Sequence, residues 1–235
     1  MASKRFAEAA KLVDQKASYT LEGAVQVLKQ MPAAKFDESV ALSVALDIDP
    51  KKTDQVVRGT VTLPHGTGKT RRIAVFCKGE DELKAKEAGA DVVGGAELIS
   101  KVQDGWLDFD VAVATPELMR EVSRLGKILG PRGLMPNPKA GTVTAEVAKA
   151  INELKQGKVE FKMDKLANIH FVIGKRSFEP QRLAENSQAA LDAIVRARPA
   201  TTKGRMIKRV VLSSTMSPGI PLKTEGLETE VAEER

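Results

Sequence analysis

The rhythm of apolar and polar positions changes three times along the chain. Near the N-terminus Phe6, Ala9, Ala10, Leu12 and Val13 recur at helical spacing and predict a helix with one apolar face. Thr20 is placed to cap a second helix that ends at Met31-Pro32. The rhythm then shortens to two. In "FDESVALSVALDI", Phe36, Val40, Leu42, Val44, Leu46 and Ile48 share one side, which predicts a long half-buried strand. A turn at Asp49-Pro50-Lys51 leads to a second strand, "VVRGTVTL".

From Arg71 short apolar runs alternate with helical ones. "RRIAVFC", "ADVVGG" and "FDVAVAT" read as strands, and "EDELKAKEAG", "AELISKVQDG" and "PELMREVSRLG" as helices. This is the pattern of βαβ units around a parallel sheet. "TAEVAKAINELKQG" adds a helix with Thr144 as its N-cap and Gly157 beyond its end. After Gly157 the rhythm reverts. "KVEFKM" and "NIHFVIG" are strands, "SFEPQRLAENSQAALDAIVRARP" is an amphipathic helix ended by Pro199, and "RMIKRVVLSST" is a last strand.

The fold expected is therefore α/β and α+β in two domains. Residues 1–66 and 157–223 form one α+β domain, and residues 67–156 form an inserted three-layer, Rossmann-like α/β domain. Two connections join them, at Gly66-Thr67 and Gln156-Gly157, where a hinge is expected. Residues 224–235 are acidic and expected to be disordered. One stretch fits neither rhythm. "GKILGPRGLMPNPKAG", Gly126 to Gly141, is rich in glycine and proline, and carries Lys127, Arg132 and Lys139 without a carboxylate. It is expected to be neither regular helix nor strand but a stiff basic loop, pinned by Ile128, Leu129, Leu134 and Met135.

Charge sharpens the picture. The net charge is +6, but it is unevenly spread. Residues 157–223 hold 13 basic and 5 acidic groups, net +8, whereas residues 1–66 and 67–156 are each +1 and the tail from Thr224 is −4. A local basic excess is the electrostatic footprint of a nucleic-acid binder. Other classes recede. Met1 to Arg5 is not followed by an apolar run, so no secretory signal is expected, and no apolar run is long enough to span a membrane. Cys77 is the sole cysteine, which forbids an internal disulfide, and with two histidines leaves too few ligands for a Cys/His zinc site. A cytoplasmic location is expected.

The motifs that could carry catalysis are incomplete. "HGTGKT", His65 to Thr70, ends like a phosphate-binding loop. It has Leu63 where the leading glycine belongs, and strand rather than helix follows it. "DVVGGAE" lacks the third glycine of a dinucleotide site. Neither His65 nor His170 accompanies a nucleophile elbow. A nucleotide-binding or nucleotide-hydrolysing enzyme is thus the weaker alternative, and no catalytic residue, metal or cofactor is expected. His170 lies on the polar side of its strand with Asn168, as a donor or acceptor for RNA. Phe36 beside Lys35 is either core or, if exposed, a stacking surface next to a cation. Ser213, Ser214, Thr215 and Ser217 around Met216 are small hydroxyl groups suited to phosphate or ribose. Aromatic content of 4% argues against a multi-aromatic stacking sheet.

Taken together, "LGKILGPRGLMPNPKAGTV", "AKFDESV", "QVVRGTVTLPHGTGK", "DGWLDFDVAVATPELM", "NIHFVIGKRSF" and "STMSPG" resemble, in kind and order, the ribosomal protein L-one family in its bacterial form. The resemblance runs from about residue 3 to 222. It implies a non-enzymatic protein of the mobile stalk of the large ribosomal subunit. Its partners would be a helical junction in large-subunit ribosomal RNA, transfer RNA leaving the exit site, other ribosomal components and, in many bacterial members, the protein's own operon messenger RNA, whose translation it represses. A repressor acting off the ribosome is a further reading. By matching motifs, the resemblance assigns Lys35, Phe36, Ser39, Ser213, Thr215, Met216 and Ser217 to the RNA face, with Lys165 and His170 at weaker positions. Arg132 and Lys139 are expected as a secondary RNA contact. The family usually has Thr-Met-Gly where this chain has Thr215-Met216-Ser217, and Asp-Lys-Thr-Gly where it has "DKLAN".

Overall fold

The computed structural model describes residues 3–199, 201–202 and 204–224; the acidic tail lies outside them apart from Thr224. The elements in chain order are α1 (Lys4–Lys11), α2 (Leu21–Gln30), β1 (Ser39–Leu46), β2 (Arg58–Thr62), β3 (Ile73–Phe76), α3 (Glu80–Glu87), β4 (Val92–Gly94), α4 (Ala96–Gln103), β5 (Val111–Ala114), α5 (Met119–Val122), α6 (Gly126–Leu129), α7 (Val147–Lys155), β6 (Lys158–Lys162), β7 (Asn168–Lys175), α8 (Pro180–Arg196), β8 (Ile207–Ser214) and β9 (Ile220–Leu222). The chain divides into two compact units, Met1–Gly68 with Val159–Arg235, and Lys69–Lys158.

The first unit is α+β. Its main sheet has the order β7-β1-β8-β9, and β2 and β6 form a separate pair. β1 runs antiparallel to both neighbours. Strict alternation drives Val40, Leu42, Val44 and Leu46 into the core, where they meet Ile169, Phe171 and Ile173 of β7 and Val210 and Leu212 of β8. α2 and α8 cover that face with Ala24, Val25, Leu28, Leu183, Ala190, Leu191 and Ile194. Thr20 caps α2 as expected, its hydroxyl accepting from Gly23 N–H at 3.3 Å. Pro180 opens α8 at the position where a missing N–H costs nothing.

Asn186 fastens the loop after β2 to this core. Wholly buried on α8, it accepts from His65 N–H at 3.1 Å and donates to the carbonyls of Gly66 and Ile173 at 3.0 and 2.7 Å. Asn186→Ala strands these backbone groups and should lower stability by about 2 kcal/mol or more. A urea midpoint unchanged from the parent would refute that role.

The second unit is three-layered. Its parallel sheet has the order β4-β3-β5. Buried on both faces, β3 reads as an unbroken apolar run. One face packs Ala74, Phe76, Ala112 and Ala114 against Leu98, Val102, Leu118, Val122, Leu125 and Leu129. The other packs Ile73, Val75 and Val113 against Ala85, Val147, Ile151 and Leu154. Cys77 lies in this second layer, where burial above all pushes its thiol up to about 11. That leaves it an apolar filler rather than a nucleophile.

Several expectations are corrected. Phe36 is not on the core side of a strand. β1 begins only at Ser39, and Phe36 is 54% exposed. On α1 only Ala9 is buried, with Val13 just beyond it, while Phe6 and Leu12 are exposed. Thr144 does not cap α7. The helix starts at Val147 with Glu146 as an N-cap lacking a side-chain bond, and the Thr144 hydroxyl accepts instead from Glu146 N–H at 3.0 Å. The helix expected over "PELMREVSRLG" is broken into α5, a 3-10 turn at Ser123–Leu125, and α6. α6 also makes the first residues of the glycine- and proline-rich loop helical. Leu118, Val122, Leu125 and Leu129 keep a helical period into one core, and that burial carries the coil past Gly126 until Pro131. β9 was not foreseen, because "IPL" is short and holds a proline, which an edge strand tolerates.

Candidate nucleic-acid interface

The side of the main sheet opposite the helices is lined by small groups. Along β1 the outward residues are Ser39, Ala41, Ser43 and Ala45. Register places Val172 and Ser213 on either side of Ala41, His170 and Val211 beside Ser43, and Asn168 and Arg209 beside Ala45. The central strand thus carries nothing larger than serine, and a polynucleotide backbone can approach the sheet closely. From Ser39 to Ala45 this trough runs about 20 Å, at roughly 3.3 Å per residue.

The expected residues separate into two groups along it. At the Ser39 end stand Lys35, Phe36, Ser213, Thr215, Met216 and Ser217. Phe36 and Met216 are large apolar side chains 54% and 49% exposed, and Lys35 is exposed beside them. Lys165 and His170 lie toward the other end. His170 Nδ1 is 2.9 Å from Ser43 Oγ, and its Nε2 is 3.9 Å from Asp164 Oδ2. The turn before β7 is held by Asp164, which accepts from the N–H groups of Leu166 and Asn168 at 2.8 and 2.7 Å. Those bonds, the one from Asn168 foremost, keep the Asp164 carboxyl below the usual carboxylate range. The turn presents Lys165 with Leu166, which is 79% exposed, and puts Ala167 at φ 61°, in the left-handed region that favours glycine.

The Ser39 end is built around Glu38, which is 1% exposed and the only buried carboxylate among the described residues. Its Oε1 accepts from Ala34 N–H at 2.9 Å and from Arg176 Nη1 at 3.4 Å. Its Oε2 accepts from the Ser214 hydroxyl and from Met216 N–H, the latter at 3.3 Å. Burial pushes the carboxyl up. The bonds from Ser214, Ala34 and Met216 and the Arg176 charge outweigh it and hold the group below its ordinary value. Arg176 in turn donates to the carbonyls of Lys29, Met31 and Pro32. Lys29 donates to the carbonyls of Arg176 and Phe178, and burial first, then the Arg176 charge, lowers its pKa against the pull of Asp37. Asp37 accepts from the N–H and hydroxyl of Ser177 at 3.0 and 2.9 Å.

The hydroxyl groups are partly engaged. Thr215 Oγ1 accepts from Ser39 N–H at 3.1 Å and donates to Ser39 carbonyl at 3.3 Å, closing the end of the β1–β8 ladder. A hydroxyl has one proton and two lone pairs, so toward a ligand Thr215 can only accept. Ser217 is used the same way. It accepts from Ser214 N–H at 2.8 Å and donates to Pro218 carbonyl at 3.0 Å. The Ser217 hydroxyl is therefore turned inward and fixes the turn bearing Met216.

Sequence reasoning missed Ser43, Arg209, Glu38 and Arg176. Ala41, Ser43 and Ala45 were visible as the complement of the apolar alternation in β1. The secondary candidates Arg132 and Lys139 are exposed on the other unit, with Arg124 and Lys127 also exposed nearby in the sequence. Of the expected hinge residues, Gly66 is held by Asn186 and Thr67 is buried, while Gln156 and Gly157 close the C-terminus of α7, Gly157 at φ 101°. The loop "HGTGKT" runs into β3 rather than into a helix, so it lacks the helix that follows a phosphate-binding loop in sequence. Among the described residues no cluster of His, Cys, Asp and Glu could hold a metal ion, and no helix is long and apolar enough to cross a membrane.

Known proteins match this chain over most of its length. The model of the Ribosomal protein L1p/L10e family matches residues 28–218. The chain is 57% identical over 220 residues to the large ribosomal subunit protein uL1 of Kosmotoga olearia, covering 94% of this chain and 95% of that one. It is 53% identical over 220 residues to the protein of the same name from Rhodococcus erythropolis, with 94% and 92% covered. A third, from Mycolicibacterium smegmatis, is 54% identical over 220 residues, with 94% of each covered. With its two-unit fold and its family signature both in place, the chain belongs to the ribosomal protein L1p/L10e family.

Proposed function

We propose that the protein is a structural constituent of the large ribosomal subunit and binds its RNA directly through the open face of the β7-β1-β8-β9 sheet. The observation that carries this is the juxtaposition of exposed Phe36, Met216 and Lys35 with a trough of small, hydroxyl-bearing residues. Such a surface suits RNA shape and ribose hydroxyls more than a long base sequence. The basic segment, net +8 over residues 157–223, sets Lys165 in the turn before β7 and Arg209 beside Ala45 on this face, where they supply phosphate neutralisation. Relatives carrying the large-subunit name support the same reading.

Beyond this, we place the protein at the mobile stalk, in the cytoplasm. There it assists movement and release of deacylated transfer RNA from the exit site, with Arg132 and Lys139 as a second RNA contact. The two connections at Gly66-Thr67 and Gln156-Gly157, next to the seams at Gly68–Lys69 and Lys158–Val159, serve as its hinge. Binding to a similar fold in its own operon messenger RNA makes it a translational repressor as well. A nucleotide-hydrolysing enzyme has less support, since the loop that would cradle phosphate lacks its helix.

Co-sedimentation with large subunits is the test. The protein should pellet with them, and binding to the stalk-junction RNA should weaken steeply with salt; a flat salt dependence would sink the electrostatic part. Thr215→Ala should weaken that RNA by roughly 0.5–1.5 kcal/mol, the worth of one neutral hydrogen bond. Calorimetric titration that returns the wild-type affinity would remove Thr215 from the interface.

A further inference from the structure

We infer that Glu38 is a positioning residue for RNA, clamping the Lys35-Phe36 loop and the Thr215-Met216 turn into one binding surface without touching the ligand itself. This rests on the RNA reading above.

The geometry is that of a bridge. One carboxylate oxygen holds Ala34 N–H, the residue before Lys35, and the Arg176 guanidinium. The other holds the Ser214 hydroxyl and Met216 N–H, on either side of Thr215. At 1% exposure Glu38 is out of reach of any polynucleotide. The loop is also anchored to the end of β7 and the residues after it, through Lys175 and Ser177 to Asp37 and through Arg176 to Pro32, and the turn to β1 through Thr215 and Ser39. Glu38 links the two directly. All its partners are donors, so only an acceptor on both oxygens satisfies them. Glutamine keeps the shape, yet its amide NH₂ must face donors on one side or the other. The link is then cut while the surface residues remain. A preformed surface loses affinity when its parts are free to drift, because ordering them is left to the binding step.

The test uses the full chain and a labelled fragment of bacterial large-subunit ribosomal RNA carrying the stalk junction. It compares wild type, Glu38→Gln, Thr215→Ala and the double variant well below their melting temperatures. Glu38→Gln should bind about tenfold or more weakly, with the salt slope of the wild type, because no phosphate contact is lost. In the double variant Thr215→Ala should add little, since both act through the same turn. The amide resonances of Ala34 and Met216 should shift together, while that of Leu212 in the core stays in place. A purely structural role would lower the melting temperature and leave the affinity of the folded protein alone. Affinity within twofold of wild type, or losses that simply multiply, would overturn the inference. Should Glu38→Gln not fold, Ser214→Ala cuts a single arm; it should weaken binding several-fold, and unchanged binding again overturns the proposal. Failure of the wild type to bind the fragment would overturn the RNA reading and this inference together.

Discussion

Arg176→Ala should lower stability by about 3–5 kcal/mol at neutral pH, the usual cost of leaving one member of a buried ion pair uncompensated. Arg176 faces Glu38 at 3.4 Å, and both side chains are shielded, at 12% and 2% exposure. The variant also strands the carbonyls of Lys29, Met31 and Pro32. An apolar replacement of both partners would not recover the loss, because Ala34 N–H and the Ser214 hydroxyl would then lack their acceptor. The pH dependence has a definite sign. In the parent the Glu38 pKa is depressed below its ordinary 4.5. Its stabilising contribution is therefore complete above that value and lost as pH falls through the lower, folded one. Without Arg176 the raising effect of burial is less opposed, and the carboxyl takes up a proton at higher pH. Protonation relieves the unpaired charge. The stability gap between parent and variant should thus narrow on acidification from neutral pH toward 4.5. Urea unfolding at several pH values measures this. A gap below about 1 kcal/mol, or one that widens with acid, would show that the pair is not what holds this corner.

Much of this was legible in the sequence, and the reason is that period survives burial. Alternation in β1 and β7, and helical spacing in α2 and α8, select the same residues that form the first core. The parallel sheet announces itself through the unbroken run Ile73–Phe76. What misled was parity carried past the end of a strand. Phe36 and Glu38 have the same parity as Val40, so alternation sends all of them inward. The chain bends before Ser39, and Phe36 swings out. Glu38 keeps the inward slot and becomes a buried carboxylate. A glutamate in phase with Val40, Leu42 and Val44 was the available signal. Its partner Arg176 sits 138 residues away, where one-dimensional spacing has no purchase. The hydroxyl run Ser213 to Ser217 was recognised as a group, but composition cannot tell Ser213 on the open face from Ser214 turned to Glu38. The register with Ala41 and Val40 decides that.

The outward swing of Phe36 sets the largest effect expected on binding. Phe36→Ala should weaken the stalk-junction RNA by about 1–3 kcal/mol, the value of one base stacked on one aromatic ring. That is roughly 5- to 150-fold in Kd at 1.4 kcal/mol per decade. A ring already 54% exposed contributes little to the core, so the melting temperature should move far less than the affinity. No charge is removed, so the slope of log affinity against log salt should stay at the parent value, whereas Lys35→Ala should lower it by about the share of one phosphate. Phe36→Tyr preserves the ring and should bind like the parent. The contrast between these variants separates stacking from simple loss of bulk. Met216 is also 49% exposed, and on the proposed RNA face Met216→Ala should weaken binding with the same indifference to salt. Parent-like affinity of Phe36→Ala, measured with folded protein, would mean that the exposed ring meets something other than RNA.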